Sequence, residues 1–209
     1  RFPTRFEEKR PFFVEGNSVF ETPLDLFFSR RIGSLGDILW GSKMTGKVGD
    51  YSVGLLGAQT GSFGALEVGQ QSDLKEDAWY SAIRLKKDIL KRSNIGVLFT
   101  NKEQNHNYSR VGGVDMNLAL GRTYHLTGQY AMSFQSGERA KSDAYILKFA
   151  QRNYLWDITA GLEHVNPSFE TNQTGFLRKE KHRGWQRLDA KATYSAQRDV
   201  WQPFVGISG

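Results

Sequence analysis

Four carboxylates, Asp115, Asp157, Glu163 and Asp189, fall on the polar side of segments in which polar and apolar residues alternate. Glycoside hydrolysis needs two carboxylates held at a set separation across a sugar, so these four are the nearest approach to a catalytic set. The same side of such segments also carries Lys43, Lys47, Arg84, Lys86, Lys148, Arg187 and Lys191. Acids interleaved with that many cations read better as cross-strand ion pairs facing a common lumen. Residues 41–48, Gly-Ser-Lys-Met-Thr-Gly-Lys-Val, fall one residue short of a phosphate-binding loop. Val48 stands where Ser or Thr must hold magnesium, and a Gly49-Asp50 turn follows instead of a helix. His106, His125, His164 and His182 lack metal-ligand spacing, and no Gly-x-Ser-x-Gly elbow is present. The expectation is no catalytic residue, no metal and no cofactor.

The segments that carry these charges read as strands. Trp79, Ile83 and Leu85 oppose Arg84, Lys86 and Asp88; Val114 and Met116 oppose Asp115 and Asn117; Tyr145, Leu147 and Phe149 oppose Lys148. Leu188, Ala190 and Ala192 likewise oppose Arg187, Asp189 and Lys191. Period two is the strand signal. At about ten residues each, the segments suit a tilted membrane crossing better than the five or six usual in a soluble sandwich. Residues 79–90 also fit a helix, but their neighbours and alternating polar face favour a strand. Tight turns are expected at 48–50, 90–93, 121–123, 153 and 197–199, and long polar loops at 61–77, 101–109, 136–142 and 166–184. Short turns alternating with long loops are the pattern of an outer-membrane barrel. Aromatics near strand ends (Tyr51, Trp79, Phe134, Tyr154, Trp156, Tyr194, Trp201) match its interfacial girdles.

The expected fold is therefore all-β, a partial antiparallel up-and-down transmembrane β-barrel with about eleven strands of a larger barrel. Its first strand lies near residues 26–32 and its last near 200–207. Residues 1–24 form a pre-barrel, plug-like junction, and 25–209 the partial barrel. Hydrophobic content is 39%, aromatic content 13%, and no apolar run is long enough for a membrane-spanning helix. The net charge of +6 is dispersed rather than clustered, which argues against a nucleic-acid partner. Cysteine is absent, so no disulfide framework exists. The chain begins at Arg1 without a signal peptide, and an odd strand number cannot close a bacterial barrel. Further sequence is thus expected on both sides.

The junction packs aromatics and both charge signs into a short stretch: Glu8-Lys9-Arg10-Pro11-Phe12-Phe13-Val14-Glu15-Gly16, followed by Ser29-Arg30-Arg31-Ile32-Gly33. These phrases resemble those of bacterial outer-membrane proteins described as carbohydrate-binding-family-9-domain-containing, which end in a barrel domain of unknown function. Glu7 and Val14 stand where Pro and Leu are common in that family. Weaker matches run through Gly41 to Lys47, Ser93 to Gly96 and Gly113 to Asn117. The resemblance implies an outer-membrane location in a Gram-negative bacterium, a lipid bilayer as partner and a carbohydrate link. It also implies a carbohydrate-binding module upstream in the same chain. It transfers no sugar-binding residue to this one. Three functions stay open: a barrel that binds or passes a polar solute such as a saccharide, with mild anion preference; a non-conducting anchor or assembly platform for a carbohydrate-binding module; and a soluble β-sheet glycoside hydrolase or binding module.

Overall fold

The computed structural model describes residues 8–33, 37–61, 77–137, 142–171, 173–176, 184–195 and 204–208. Among the described residues, ten strands follow one another in a single antiparallel meander: β1 (Asp37–Val48), β2 (Tyr51–Gly61), β3 (Ala78–Leu90), β4 (Ser93–Gln104), β5 (Asn107–Leu120), β6 (Tyr124–Gln135), β7 (Ser142–Arg152), β8 (Trp156–Val165), β9 (Trp185–Ser195) and β10 (Phe204–Ser208). Each strand pairs with its neighbours in sequence, and β1 does not pair with β10, so the sheet is open. The all-β up-and-down reading therefore stands, and residues 78–90 are a strand rather than a helix.

Because the side-chain period is two, register divides the sheet into two faces. One face carries Val53, Leu85, Val97, Val114, Tyr130 and Tyr145 in a single cross-strand row. A neighbouring row runs Ile95, Met116, Gly128, Leu147, Leu162 and Leu188. Most of these large apolar side chains are exposed. The opposite face carries most of the charged residues together with small ones, Ala58, Ala82, Ala131 and Ala144, and it holds the buried core. The core thus lies on the polar, small-residue side of the sheet, inverted relative to a water-soluble half-sandwich.

What covers that inner face is the N-terminal segment. It consists of a one-turn helix α1 (Pro11–Val14), 3-10 turns at Asn17–Phe20 and Ser29–Arg31, and extended links. Phe13, Phe20, Leu24, Leu26 and Ile32 from this segment are buried with Leu56, Leu98, Val111 and Ile146 from the sheet. Phe169, from the connection between β8 and β9, joins them.

Several expectations need correction. Residues 26–32 are not a strand, because their apolar side chains are buried beneath the sheet and Ser29–Arg31 coils into a 3-10 turn. The first strand begins at Asp37, which removes one strand from the count. The polar run 101–109 is not a long loop: β4 and β5 extend through it to a two-residue turn at Asn105 and His106, both with positive φ. That is the twist-matched hairpin geometry. A bulge between Ile38 and Trp40 puts Ile38 on the inner face with Thr60, while Trp40, Met44 and Val48 stay outside. The turn expected at Gln197-Arg198-Asp199, Trp201 and His182 lie outside the described residues.

Candidate functional site

The two phrases of the N-terminal segment, separated in sequence, meet in space as one knot. Glu8 accepts hydrogen bonds from Arg10 Nε at 2.9 Å and Arg10 Nη2 at 2.8 Å, and from Ser29 Oγ at 2.8 Å. Arg10 in turn donates to the Ser29 carbonyl at 3.0 Å and the Ile32 carbonyl at 2.8 Å. Its guanidinium lies 4.2 Å from the Phe13 ring centroid. Lys9 and Arg10 also donate their backbone N–H groups to Glu8 Oε1. Burial pushes the Glu8 carboxyl up, but the bonds from Arg10 and Ser29 outweigh it and hold the pKa at about 2.

The knot is fastened to β1. Pro11 opens α1, where its missing N–H costs nothing. Lys43 Nζ donates to the carbonyls of Phe12 and Glu15, acceptors left open at the end of the short helix. Gly16 takes φ of 64°, and a Cβ there would stand 2.6 Å from Thr45 Oγ1. This close approach and the left-handed backbone both require glycine.

Arg84 is the second fastening. Its side chain is 1% exposed and that of Asp115 7%. The guanidinium makes a two-pronged bond to Asp115, with Nη2 to Oδ1 at 2.9 Å, and donates from Nε to the Val19 carbonyl at 3.2 Å. One side chain therefore ties β3 to β5 and to the segment beneath them. Gly96 on the intervening β4 makes room, since a Cβ there would stand 2.7 Å from Arg84 Nη1. Gly54 and Gly113 form sockets in the same way: added Cβ atoms would meet Phe20 Cζ at 2.8 Å and Leu26 Cδ1 at 2.6 Å.

The far side of the segment is held by polar groups. Gln129 Oε1 accepts from the Leu24 backbone N–H at 2.6 Å. The β8–β9 connection closes over the end: Phe28 N–H donates to the Thr174 carbonyl at 2.7 Å, and Phe176 N–H to the Asp25 carbonyl at 2.9 Å. Thr174 and Thr100 share a hydroxyl bond of 2.8 Å, and Lys102 donates to Gln173 at 2.9 Å.

All eleven charged residues singled out from the sequence share the inner face by register: Lys43, Lys47, Arg84, Lys86, Asp115, Lys148, Asp157, Glu163, Arg187, Asp189 and Lys191. They do not converge on one point. Lys43, Arg84 and Asp115 hold the N-terminal segment. The others spread over the rest of the face, Lys47, Lys86, Lys148, Asp157 and Lys191 toward the tight turns, Glu163 and Arg187 toward the 166–184 connection and Asp189 between. There Lys47 pairs with Asp88 at 2.5 Å, Arg187 with Asp189 at 3.0 Å and Asp157 with Arg152 at 3.5 Å. Glu163 lies directly opposite Arg187. Three of the four carboxylates considered for hydrolysis are thus engaged by arginines, Asp157 from the neighbouring strand, Asp115 across an intervening strand and Asp189 within its own strand. Among the described residues, no group of three or more His, Asp or Glu could hold a metal ion.

Sequence reasoning did not find Ser29, Val19, Gln129, Thr100 or the 166–176 connection as partners of the junction. Gly54 and Gly113 carried a usable signal, since glycine within a strand often marks a close approach by another backbone or ligand.

A family model described as a domain of unknown function (DUF5916) matches residues 1–46, which span the knot and most of β1. No curated protein and no solved structure matches the chain.

Proposed function

We propose that this chain is wall and plug of a transmembrane β-barrel in a bacterial outer membrane. Its own N-terminal segment occludes the interior, so the barrel serves as a non-conducting anchor or platform. The observation that carries the reading is the polarity of the two faces. Along the outer face, the charged residues of the described strands sit toward strand ends (Asp37, Lys87, Glu103, Arg110 and Asp143), and the positions between them are uncharged. Tyr124 and Phe134 bound the band on β6. At 3.3 Å per residue they stand about 33 Å apart along the strand, which a tilt of about 40° turns into a height of about 25 Å. That is the apolar height of an outer-membrane barrel. Exposed apolar surface this continuous has no place in water.

The plug argues for occlusion. Charged hydrogen bonds, buried aromatics and three glycine sockets fix it, rather than loose contact. The resemblance of the junction phrases supports a carbohydrate-linked role, with an upstream carbohydrate-binding module as cargo. A second reading, passage of a polar solute once the plug shifts, is favoured by the charged inner surface toward the tight turns. Planar-bilayer recording of the full-length protein, with heat-modifiable gel migration as the control for folding, separates them. Silence that turns into steady conductance when residues 8–33 are deleted supports the occluded barrel. Open steps from the intact protein favour passage. Extraction by high salt without detergent contradicts both.

A further inference from the structure

At the end of the sheet with the longer connections, one outer-face row alternates aromatic and planar polar side chains. Trp40 is opposite Gln59, Gln59 opposite Trp79, Trp79 opposite Glu103, and Glu103 opposite Tyr108. Trp40 leans edge-on against Trp79, with centroids 5.5 Å apart, and its indole N–H donates to Gln59 at 2.8 Å. That side of the row is closed. Between Trp79 and Tyr108 a cleft of about 500 Å³ opens over Glu103.

The dimensions select an occupant. Neighbouring strands lie about 4.8 Å apart, so the two aromatic walls, two strands apart, stand about 10 Å apart. A saturated ring between them needs about 4 Å of contact distance on each side, so one ring fits and two do not. The floor is already organised. Glu103 Oε1 accepts from Arg110 Nη2 at 2.9 Å and from Asn101 Nδ2 at 3.3 Å, while Arg110 Nε donates to Asn101 at 3.1 Å. The Arg110 guanidinium lies 4.4 Å from the Tyr108 centroid, which steadies that wall. Glu103 keeps its second oxygen as an acceptor. The tight turn at Asn105 and His106 brings Asn105 to the mouth.

Aromatic walls over fixed, planar hydrogen-bonding groups suit a ligand that is apolar on its faces and hydroxylated at its edge. An acyl chain would leave the floor unpaired. A bare phosphate would meet one arginine already engaged by Glu103, with Asp77 also lining the cleft. We propose that this cleft binds a single hexopyranose unit, stacked at Trp79 and Tyr108, with hydroxyls taken by Glu103, Arg110 and Asn105. The sugar is either a glycolipid headgroup at the membrane surface or part of a soluble glycan, and only this choice of source rests on the membrane reading.

The test uses the full-length protein in two arms. In detergent, or in buffer if the protein proves soluble, it is titrated with methyl β-D-glucopyranoside and methyl β-D-galactopyranoside, followed by tryptophan emission and calorimetry. In nanodiscs of phosphatidylglycerol, the same emission is compared with and without monoglucosyl diacylglycerol. A soluble source gives saturable millimolar binding of a glycoside. A lipid source gives a response confined to nanodiscs that contain the glucosyl lipid. In whichever arm responds, Glu103→Gln should weaken binding at least tenfold and Tyr108→Ala should abolish it, with the unfolding midpoint unchanged. Two silent arms overturn the proposal. So does binding that both variants leave intact, or an equal response to phosphatidylglycerol alone.

Discussion

Replacing Arg84 by Met should loosen the plug before it loosens the sheet. The substitution strands the Asp115 carboxylate at 7% exposure with no counter-charge, and it leaves the Val19 carbonyl without its donor. Breaking a buried pair from one side costs about 3–5 kcal/mol, mostly the penalty of the orphaned charge. Adding Asp115→Leu removes that charge. The double variant should then lose only the bond to Val19, about 1.5–3 kcal/mol for a charged donor. The second substitution is thus expected to restore roughly 2 kcal/mol, about thirtyfold in the folding equilibrium. Urea unfolding in lipid vesicles, followed by heat-modifiable migration, reads the sheet. Trypsin cleavage at Arg30 and Arg31 reads release of the plug. A single variant costing under about 1 kcal/mol, or a double variant no more stable than the single, would refute the pinning role.

Three further outcomes follow from the same contacts. Glu8 sits below its ordinary carboxylate range, so it stabilises the knot fully above about pH 4.5, and that contribution is lost as pH falls toward about 2. With Arg10 partly exposed, the discounted amount is about 1–2 kcal/mol; hydrogen exchange across residues 10–33 should rise over that window in the wild type and not in Glu8→Gln. Gly54→Val drives a side chain into the Phe20 ring and should cost about 1–3 kcal/mol, while Phe20→Ala alone costs about 3–5 kcal/mol. The two together should cost less than their sum in a urea titration. Val97→Lys places a charge in the middle of the outer band and should destabilise the membrane-inserted protein by about 2–4 kcal/mol, whereas Thr127→Lys on the inner face should cost under about 1 kcal/mol.

Alternation made the faces of the sheet legible, because a strand buried on one side must repeat every second residue. It failed where that logic stops applying. Residues 26–32 look strand-like in composition, yet they belong to the segment that crosses beneath the sheet and bury apolar side chains against it. Residues 101–109 look like a loop because β4 and β5 run past the apolar band into polar surroundings, where strands need no hydrophobic period. The even spacing of Ile38, Trp40, Met44 and Val48 predicts one common face, but Ile38 turns inward because a bulge adds one residue without leaving a mark in the pattern. The charged inner face was readable as a face, but its partners were not. Arg84 finds Asp115 and Val19 across long sequence separations, and nothing local to Arg84 encodes either. Composition marked residues 1–24 as plug-like, and within the sheet only the glycines hinted at where that segment docks, as gaps in otherwise regular strands.

The central claim is that the apolar face meets lipid while the charged face lies under the plug. Because the chain has no cysteine, single cysteines can be introduced at Val97 and Leu147 on the outer face and at Lys148 on the inner face, and spin-labelled in the membrane-reconstituted full-length protein. Collision with molecular oxygen, which concentrates in the bilayer, is compared with collision with a water-soluble nickel chelate. The account predicts strong oxygen and negligible nickel accessibility at Val97 and Leu147, with the order reversed at Lys148. Nickel access to Val97 and Leu147 equal to that at Lys148 would contradict it.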